Sequence, residues 1–381
     1  MGKSAIVVGT QSFVDSGCKV GSQYLAKALA ESGWSVDYVA TASSLFDIWG
    51  GKRHPRLTRV WCQSQDARGV QIERRLTEWA FKSPFPAVKL FLRWQWQLRA
   101  YSWFVPKKFR EKEYDICISE VTPNMLYLPW VRAKTHVLRL NDWPPGFSHD
   151  LHPVVIGEMV RKISNKYFQE IWAVSKPLVH YAYSLNAHNN VFLVPNGVSP
   201  IQCKHAEVIE RKKNSAVYVG EVGAWLDVDL LRRVACLMPD WQFDIFGPGS
   251  FELKNLPKNL VGRGSLERDR VLDVLSRYAV GLIPFVNING RMDYVERPLK
   301  FYEYISAGLG VASTDMGALR DGMGELAQYG NTAEAFSNAI RKAQADVTNR
   351  PAGFGVAFIE RNSWGNICLQ VFDRLQELRS A

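Results

Sequence analysis

A rhythm that runs twice along the chain restricts its fold more than any other feature: a short apolar strand, a glycine-bearing loop, a helix, another strand. "SAIVVGT" (4–10) reads as a buried strand, "QYLAKALAESG" (23–33) as a helix closed by Gly33, and "WSVDYVAT" (34–41) as the next strand. Strands joined across a helix lie parallel, so this is a βαβ unit. Further strands follow at "DICISE" (115–120), "THVLRLND" (135–142) and "EIWAVS" (170–175). The pattern breaks at "VFLVPNGVSP" (191–200), where a Pro-Asn-Gly turn leads into a charged, poorly apolar stretch over 201–214. It then restarts with "SAVYVGEV" (215–222) as strand, "DVDLLRRVACLM" (227–238) as helix and "WQFDIFGPG" (241–249) as strand and loop. "NLVGRG" (259–264), the helix "RDRVLDVLSRYA" (268–279) and the strands "VGLIPF" (280–285) and "GVAST" (310–314) complete the second run.

At 381 residues the chain exceeds what one hydrophobic core organises. The expectation is α/β, with two Rossmann-like domains at 1–195 and 196–360. In 361–381, Ile367, Cys368, Val371, Phe372, Leu375 and Leu378 fall at helical spacing. They form the apolar stripe of a C-terminal helix that packs back on the first domain.

A hydrophobic content of 47% against 22% charged residues excludes wholesale disorder. The net charge of +10 favours anionic partners, and basic residues crowd 82–112. Six cysteines lie far apart with no CxxC pair, as reduced thiols in a cytoplasmic protein do. The first residues, "MGKSAIVVGTQSF", run straight into a strand without the features of a signal peptide, and no apolar run reaches the roughly 20 residues of a membrane span.

Chemistry concentrates in "VERPLKFYEYISAGLGV" (295–311). Pro298 suits the start of a helix and Gly308 its exit. The entrance of such a helix aims free N–H groups and the positive dipole end out of the carboxyl edge of the sheet, which is an anion site. Arg297 and Lys300 are placed to neutralise a diphosphate, and Glu303 to accept from the paired hydroxyls of a ribose. Taken singly, a Lys300–Glu303 pair at i,i+3 is a surface ion pair; the coincidence of Pro298, two cations and a following strand argues for a ligand. Gly220 and Gly223 in "GEVGAWLD" (220–227) either let backbone approach phosphate or sugar closely or simply make a turn. Asp227 and Asp229 invite a metal reading, but Asp227 stands where a helix N-cap belongs, and no metal is expected.

"ERPLKFYEYISAGLGVAST" resembles the donor-binding helix of GT-B glycosyltransferases, where the pattern is close to P-x-K-x-x-E-Y-x-A-x-G. "VPNGV" resembles the linker of that class and "VYVGEVGAWLDVDLL" the start of its second domain. The resemblance is closest over 190–315 and looser before it. It implies two Rossmann-like domains facing a central cleft, with Lys300 on the pyrophosphate, Glu303 on the nucleotide ribose and Glu296 on the donor sugar. Glu296 and Glu303 stand seven positions apart, against eight in the commonest family spacing.

In the first half, "VLRLNDWPPGFSHD" (137–150) ends a strand at Asp142 and breaks at Pro144, Pro145 and Gly146. A carboxylate there faces the crevice of an open sheet and is ionised at neutral pH, fit to take a proton from a hydroxyl; capping the turn is the other role open to it. By resemblance to xanthan-type bacterial glucuronosyltransferases and teichuronic-acid-type transferases, Asp142 is the general base, with Asp15, His149 and Asp150 as weaker candidates. The same resemblance lays "GTQSFVDSGCKVGS" (9–22) along the acceptor, with Asp15, Lys19 and Ser22 on that side together with His149. Aromatic and basic residues interleave over 81–110. Stacking on nucleic-acid bases, lying in a lipid interface and packing as an amphipathic helix all suit that composition, and the lipid interface is preferred.

The expectation is a metal-independent, inverting glycosyltransferase with a UDP-sugar donor and a lipid-linked glycan acceptor, in bacterial surface or exopolysaccharide synthesis. It would sit on the inner face of the plasma membrane through 81–110 and bind no nucleic acid. A nucleotide-sugar epimerase of the same fold and a non-catalytic nucleotide-sugar or glycan-binding subunit are the alternatives.

Overall fold

The computed structural model describes residues 3–9, 11–13, 20–43, 69–82, 105–147, 153–185, 190–198, 211–249, 256–267, 270–351 and 354–380. The chain divides into two compact units, one of 1–195 with 368–381 and one of 196–367.

In the first unit the strands are β1 (Ser4–Val8), β2 (Ser35–Ser43), β3 (Val70–Glu73), β4 (Leu76–Lys82), β5 (Tyr114–Glu120), β6 (Ala133–Leu140), β7 (Glu170–Ala173) and β8 (Asn190–Leu193). They form one sheet in the order β3-β4-β2-β1-β5-β6-β7-β8. Every pairing is parallel except β3 with β4. Among the described residues its helices are α1 (Gly21–Glu31), α2 (Lys107–Glu111), α3 (Pro153–Ser164) and α4 (Lys176–Ser184). Strand β1 reads as an unbroken apolar run because Ala5, Ile6, Val7 and Val8 are all buried, as in a sheet covered on both faces.

The second sheet runs β11-β10-β9-β12-β13-β14, with every pairing parallel. Its strands are β9 (Ser215–Val219), β10 (Gln242–Phe246), β11 (Leu260–Gly264), β12 (Val280–Ile283), β13 (Gly310–Ser313) and β14 (Gln328–Tyr329). Its helices are α5 (Val228–Leu237), α6 (Val271–Leu275), α7 (Leu299–Ser306), α8 (Gly317–Met323), α9 (Ala333–Thr348) and α10 (Phe354–Arg361). The chain builds outward from β9 to β11, then returns to the other side of β9 with β12. The strand order therefore reverses between β9 and β12, the point where open α/β sheets bind ligands.

Among the described residues of the helix expected over 268–279, Val271–Leu275 is α-helical, and the chain turns at Ser276–Tyr278 to enter β12. Asp227 caps α5 by accepting the Leu230 N–H at 2.8 Å. Asp229 pairs with Arg232 at 2.7 Å, so both carboxylates are used within the helix. The last helix, α11 (Trp364–Ser380), buries Cys368 and Val371 in the core of the first unit beside α1, β1 and β2. Its Phe372 stacks on Trp34 at 6.4 Å. Among the described residues no helix is long and apolar enough to cross a membrane.

Candidate functional site

The carboxyl edge of the second sheet gathers the loops after β9, β10 and β11. Gly220 donates its N–H to the Phe246 carbonyl at 2.9 Å, Val222 to Pro248 at 2.9 Å, and Gly247 to Gly264 at 2.8 Å. This close crossing needs glycine: Gly247 holds φ +153, and a Cβ there would collide with the Gly220 carbonyl oxygen.

Helix α7 is fixed over the reversal point by one hydroxyl. The β9–β12 ladder pairs Val280 with Ala216 and Gly281 with Val217. Beyond it, Tyr304 accepts the Val219 N–H at 3.1 Å and donates to the Leu282 carbonyl at 3.2 Å. Gly281 leaves room for that ring, which a Cβ would strike. At the far end Arg211 donates to the carbonyls of Gly308 at 2.7 Å and Ala307 at 2.8 Å, satisfying the last turn. The expected exit glycine holds φ +75. Pro298 sits one position earlier than expected, as the N-cap with ψ 148, and Leu299 is the first helical residue.

Lys300 therefore stands in the first turn. Its Nζ lies 3.9 Å from the centre of the Tyr218 ring and 4.8 Å from that of Phe285. The same nitrogen would be 2.9 Å from a Cβ on Gly220, so the absence of a side chain there admits the ammonium. Burial pushes the Lys300 pKa down to about 7, against the Glu303 and Glu221 carboxylates, which act to raise it. Glu303, one turn on and on the same face, is 7% exposed. A half-buried ammonium on aromatic faces, beside free helix N–H groups and an acidic acceptor, can hold a group that is anionic at one end and hydroxylated at the other.

Sequence reasoning brought Gly220, Lys300 and Glu303 to one place and missed the aromatic bed beneath them. Tyr218 and Phe285 lie within strand-like runs and carried no signal of their own. Gly223 makes room for the Trp225 ring, over which the Arg291 guanidinium lies at 5.6 Å. Arg297 is directed elsewhere: Nε donates to the Gly322 carbonyl at 2.6 Å and a terminal nitrogen to Asn362 at 3.5 Å. It joins the entrance of α7 to α8 and α10. The backbone of Glu296 packs against Gly322 in the same corner.

In the first unit Asp142 is exposed, two residues past the carboxyl end of β6, and accepts from Asn141 Nδ2 at 3.3 Å. Ser22 is fully buried in the first turn of α1, its hydroxyl 3.4 Å from that of Tyr38. Asp15, Lys19, His149 and Asp150 lie outside the described residues, as does 83–104 within the basic aromatic stretch. In its described remainder, Lys108 and the adjoining Lys112 converge on buried Asp37 at 3.3 and 2.7 Å. Asp37 also accepts from Trp79 and Tyr114, and although burial acts to raise its carboxyl, Lys112, Tyr114 and Lys108 hold it below the usual range.

No protein-family model matches the sequence, and no curated protein does. Solved structures match nearly its whole length. Sucrose-phosphate synthase from Thermosynechococcus elongatus aligns with a TM-score of 0.70 at 15% identity, over 99% of this chain and 99% of that one. A TarM mutant from S. aureus, in complex with fondaparinux, alpha-GlcNAc-glycerol and UDP, gives 0.62 at 11% identity over 98% and 99%. An E. coli trehalose-6-phosphate protein bound with UDP-2-fluoro glucose gives 0.63 at 11% over 98% and 99%. The fold is GT-B. Within a GT-B chain the second Rossmann-like sheet carries the Lys300 site described above.

Proposed function

We propose that this protein is a glycosyltransferase that moves a sugar from a nucleotide diphosphate sugar, foremost a UDP-sugar, to a hydroxyl of a lipid-linked glycan, with inversion and without a metal. One observation carries the reading: the Lys300 ammonium, bedded on Tyr218 and Phe285 at the start of α7, with Glu303 on the same face at the strand-order reversal. Two of the similar structures hold UDP or UDP-2-fluoro glucose, which supports the choice of nucleotide.

In the proposed reaction the acceptor oxygen bonds to the anomeric carbon as the bond from that carbon to the diphosphate oxygen breaks. The electron pair leaves with the diphosphate, whose charge Lys300 and the helix dipole stabilise. Asp142 takes the proton of the acceptor hydroxyl. Glu303 accepts from the ribose hydroxyls, and Glu296 is assigned to the donor sugar. A lipid-linked acceptor of the xanthan or teichuronic-acid kind, a role in exopolysaccharide synthesis and a seat on the inner membrane face belong to the same proposal. The aromatic and basic composition of 81–110 and the net charge of +10 support these.

A thermal-shift screen of nucleotide sugars tests the donor assignment, since a ligand that binds only the folded state raises the melting temperature. A UDP-sugar should stabilise the wild type and not Lys300→Ala. Equal stabilisation of both proteins would refute the site. Transfer from the selected donor to a bacterial lipid extract then tests the acceptor.

A further inference from the structure

A second cationic concavity lies in the second unit, with a volume of about 980 Å³ and Arg211, Lys212, Lys213, Asp244, Arg277 and Tyr278 in its wall. Its one lining carboxylate is already satisfied: Asp244 accepts from Arg263 Nε at 2.9 Å, from the Tyr278 hydroxyl at 2.5 Å and from Gln242 at 3.0 Å. Arg211 is likewise engaged, on the terminal carbonyls of α7. Lys212, Lys213 and Arg277 remain. All three are exposed, and none has a carboxylate within ion-pair distance among the described residues. The Lys212 N–H donates to the Arg277 carbonyl at 3.0 Å, which fixes the two cationic segments side by side. Like charges held together in this way repel unless an anion screens them.

The cavity extends to Phe246, whose carbonyl accepts from Gly220, but its three cations stand apart from the Lys300 site. Lys212 and Lys213 directly precede β9, and Arg277 precedes β12, so they mark the amino edge of the sheet. Gly220 and Lys300 stand at the carboxyl edge, and a five-residue strand spans roughly 16 Å. We propose that the cavity is a binding site for a phosphate-bearing anion, held by Lys212, Lys213 and Arg277 and distinct from the site at the entrance of α7. Two lysines and one arginine supply point charges and a bidentate fork, the pairing that phosphate oxygens take best. Neither phosphate source, a soluble anion or a lipid headgroup, depends on the glycosyltransferase reading.

The test uses the full chain carrying Lys300→Ala, so that the α7 entrance does not report. Inorganic phosphate is titrated calorimetrically, and vesicles with and without phosphatidylglycerol are used in flotation. The comparison protein adds Lys212→Glu, Lys213→Glu and Arg277→Glu; a third, with Lys212→Arg and Lys213→Arg, keeps the charge and controls for folding. Phosphate affinity at least tenfold weaker in the charge-reversed protein, and retained in the arginine variant, supports the site with a soluble anion as ligand. Loss of flotation with phosphatidylglycerol vesicles alone supports it with a headgroup as ligand. Neither probe binding the Lys300→Ala protein, or both binding the charge-reversed protein equally well, overturns it.

Discussion

Replacing Lys300 by methionine should make the protein more stable and unable to bind its donor. Methionine keeps the length and the packing on Tyr218 and Phe285 and removes the ammonium that burial disfavours. A pKa lowered from 10.5 to about 7 corresponds to about 5 kcal/mol against the charged form in a fully dry site. Discounted for its partial exposure, the cost is about 1 to 3 kcal/mol. The sign follows from which state holds the proton. Below pH 7 the lysine is charged both folded and unfolded, and the cost is present in full. Between pH 7 and 10.5 the unfolded chain holds the proton while the folded chain has released it, so the cost fades as pH rises. The stability gain of Lys300→Met over wild type should therefore be greatest near pH 6 and close to nothing near pH 10. Urea unfolding of both proteins across that range reads it as a difference, in which titrations common to both cancel. A variant less stable than wild type at pH 6, or a gain that does not change with pH, would refute the reasoning.

Binding of a diphosphate should return Lys300 toward an ordinary lysine pKa, with uptake of about 0.9 proton at pH 8, read by calorimetry in buffers of different ionisation enthalpy. The uptake should vanish in Lys300→Arg, whose charge is permanent. Gly247→Ala should destabilise the second unit by about 1 to 3 kcal/mol in urea unfolding and abolish donor binding, because its Cβ meets the Gly220 backbone and not a side chain that can move. Asp227→Ala should lower unfolding stability by about 1 kcal/mol through loss of the α5 cap and leave donor affinity unchanged. Asp142→Asn should abolish turnover in a transfer assay while the donor still raises the melting temperature; retained turnover would remove Asp142 as the base.

Local patterns carried far in this sequence. Alternating apolar runs and glycine-closed helices gave most of the parallel strands of both sheets, while β4 and the two-residue β14 escaped notice. The proline–glycine bracket gave α7, and a single aspartate before an apolar run gave the cap of α5. What stayed hidden depends on residues far apart in the chain. Tyr218 meets Lys300 across 82 positions, Gly247 meets Gly220 across 27, and Arg211 reaches Gly308 across 97. No short window holds both partners of such a contact. Arg297 illustrates the opposite error: it stands three positions before Lys300, which suggested a shared ligand, but outside α7, ahead of the Pro298 N-cap. Its guanidinium lies on Gly322 and Asn362.

Helix α11 sets the order in which this molecule can assemble. Cys368 and Val371 fill the core beside α1, β1 and β2, segments made long before them. During synthesis the sheet that starts earliest must wait, with an open apolar trough, until residue 371 has left the ribosome. By then the unit that starts later, which ends at residue 367, has been made as well.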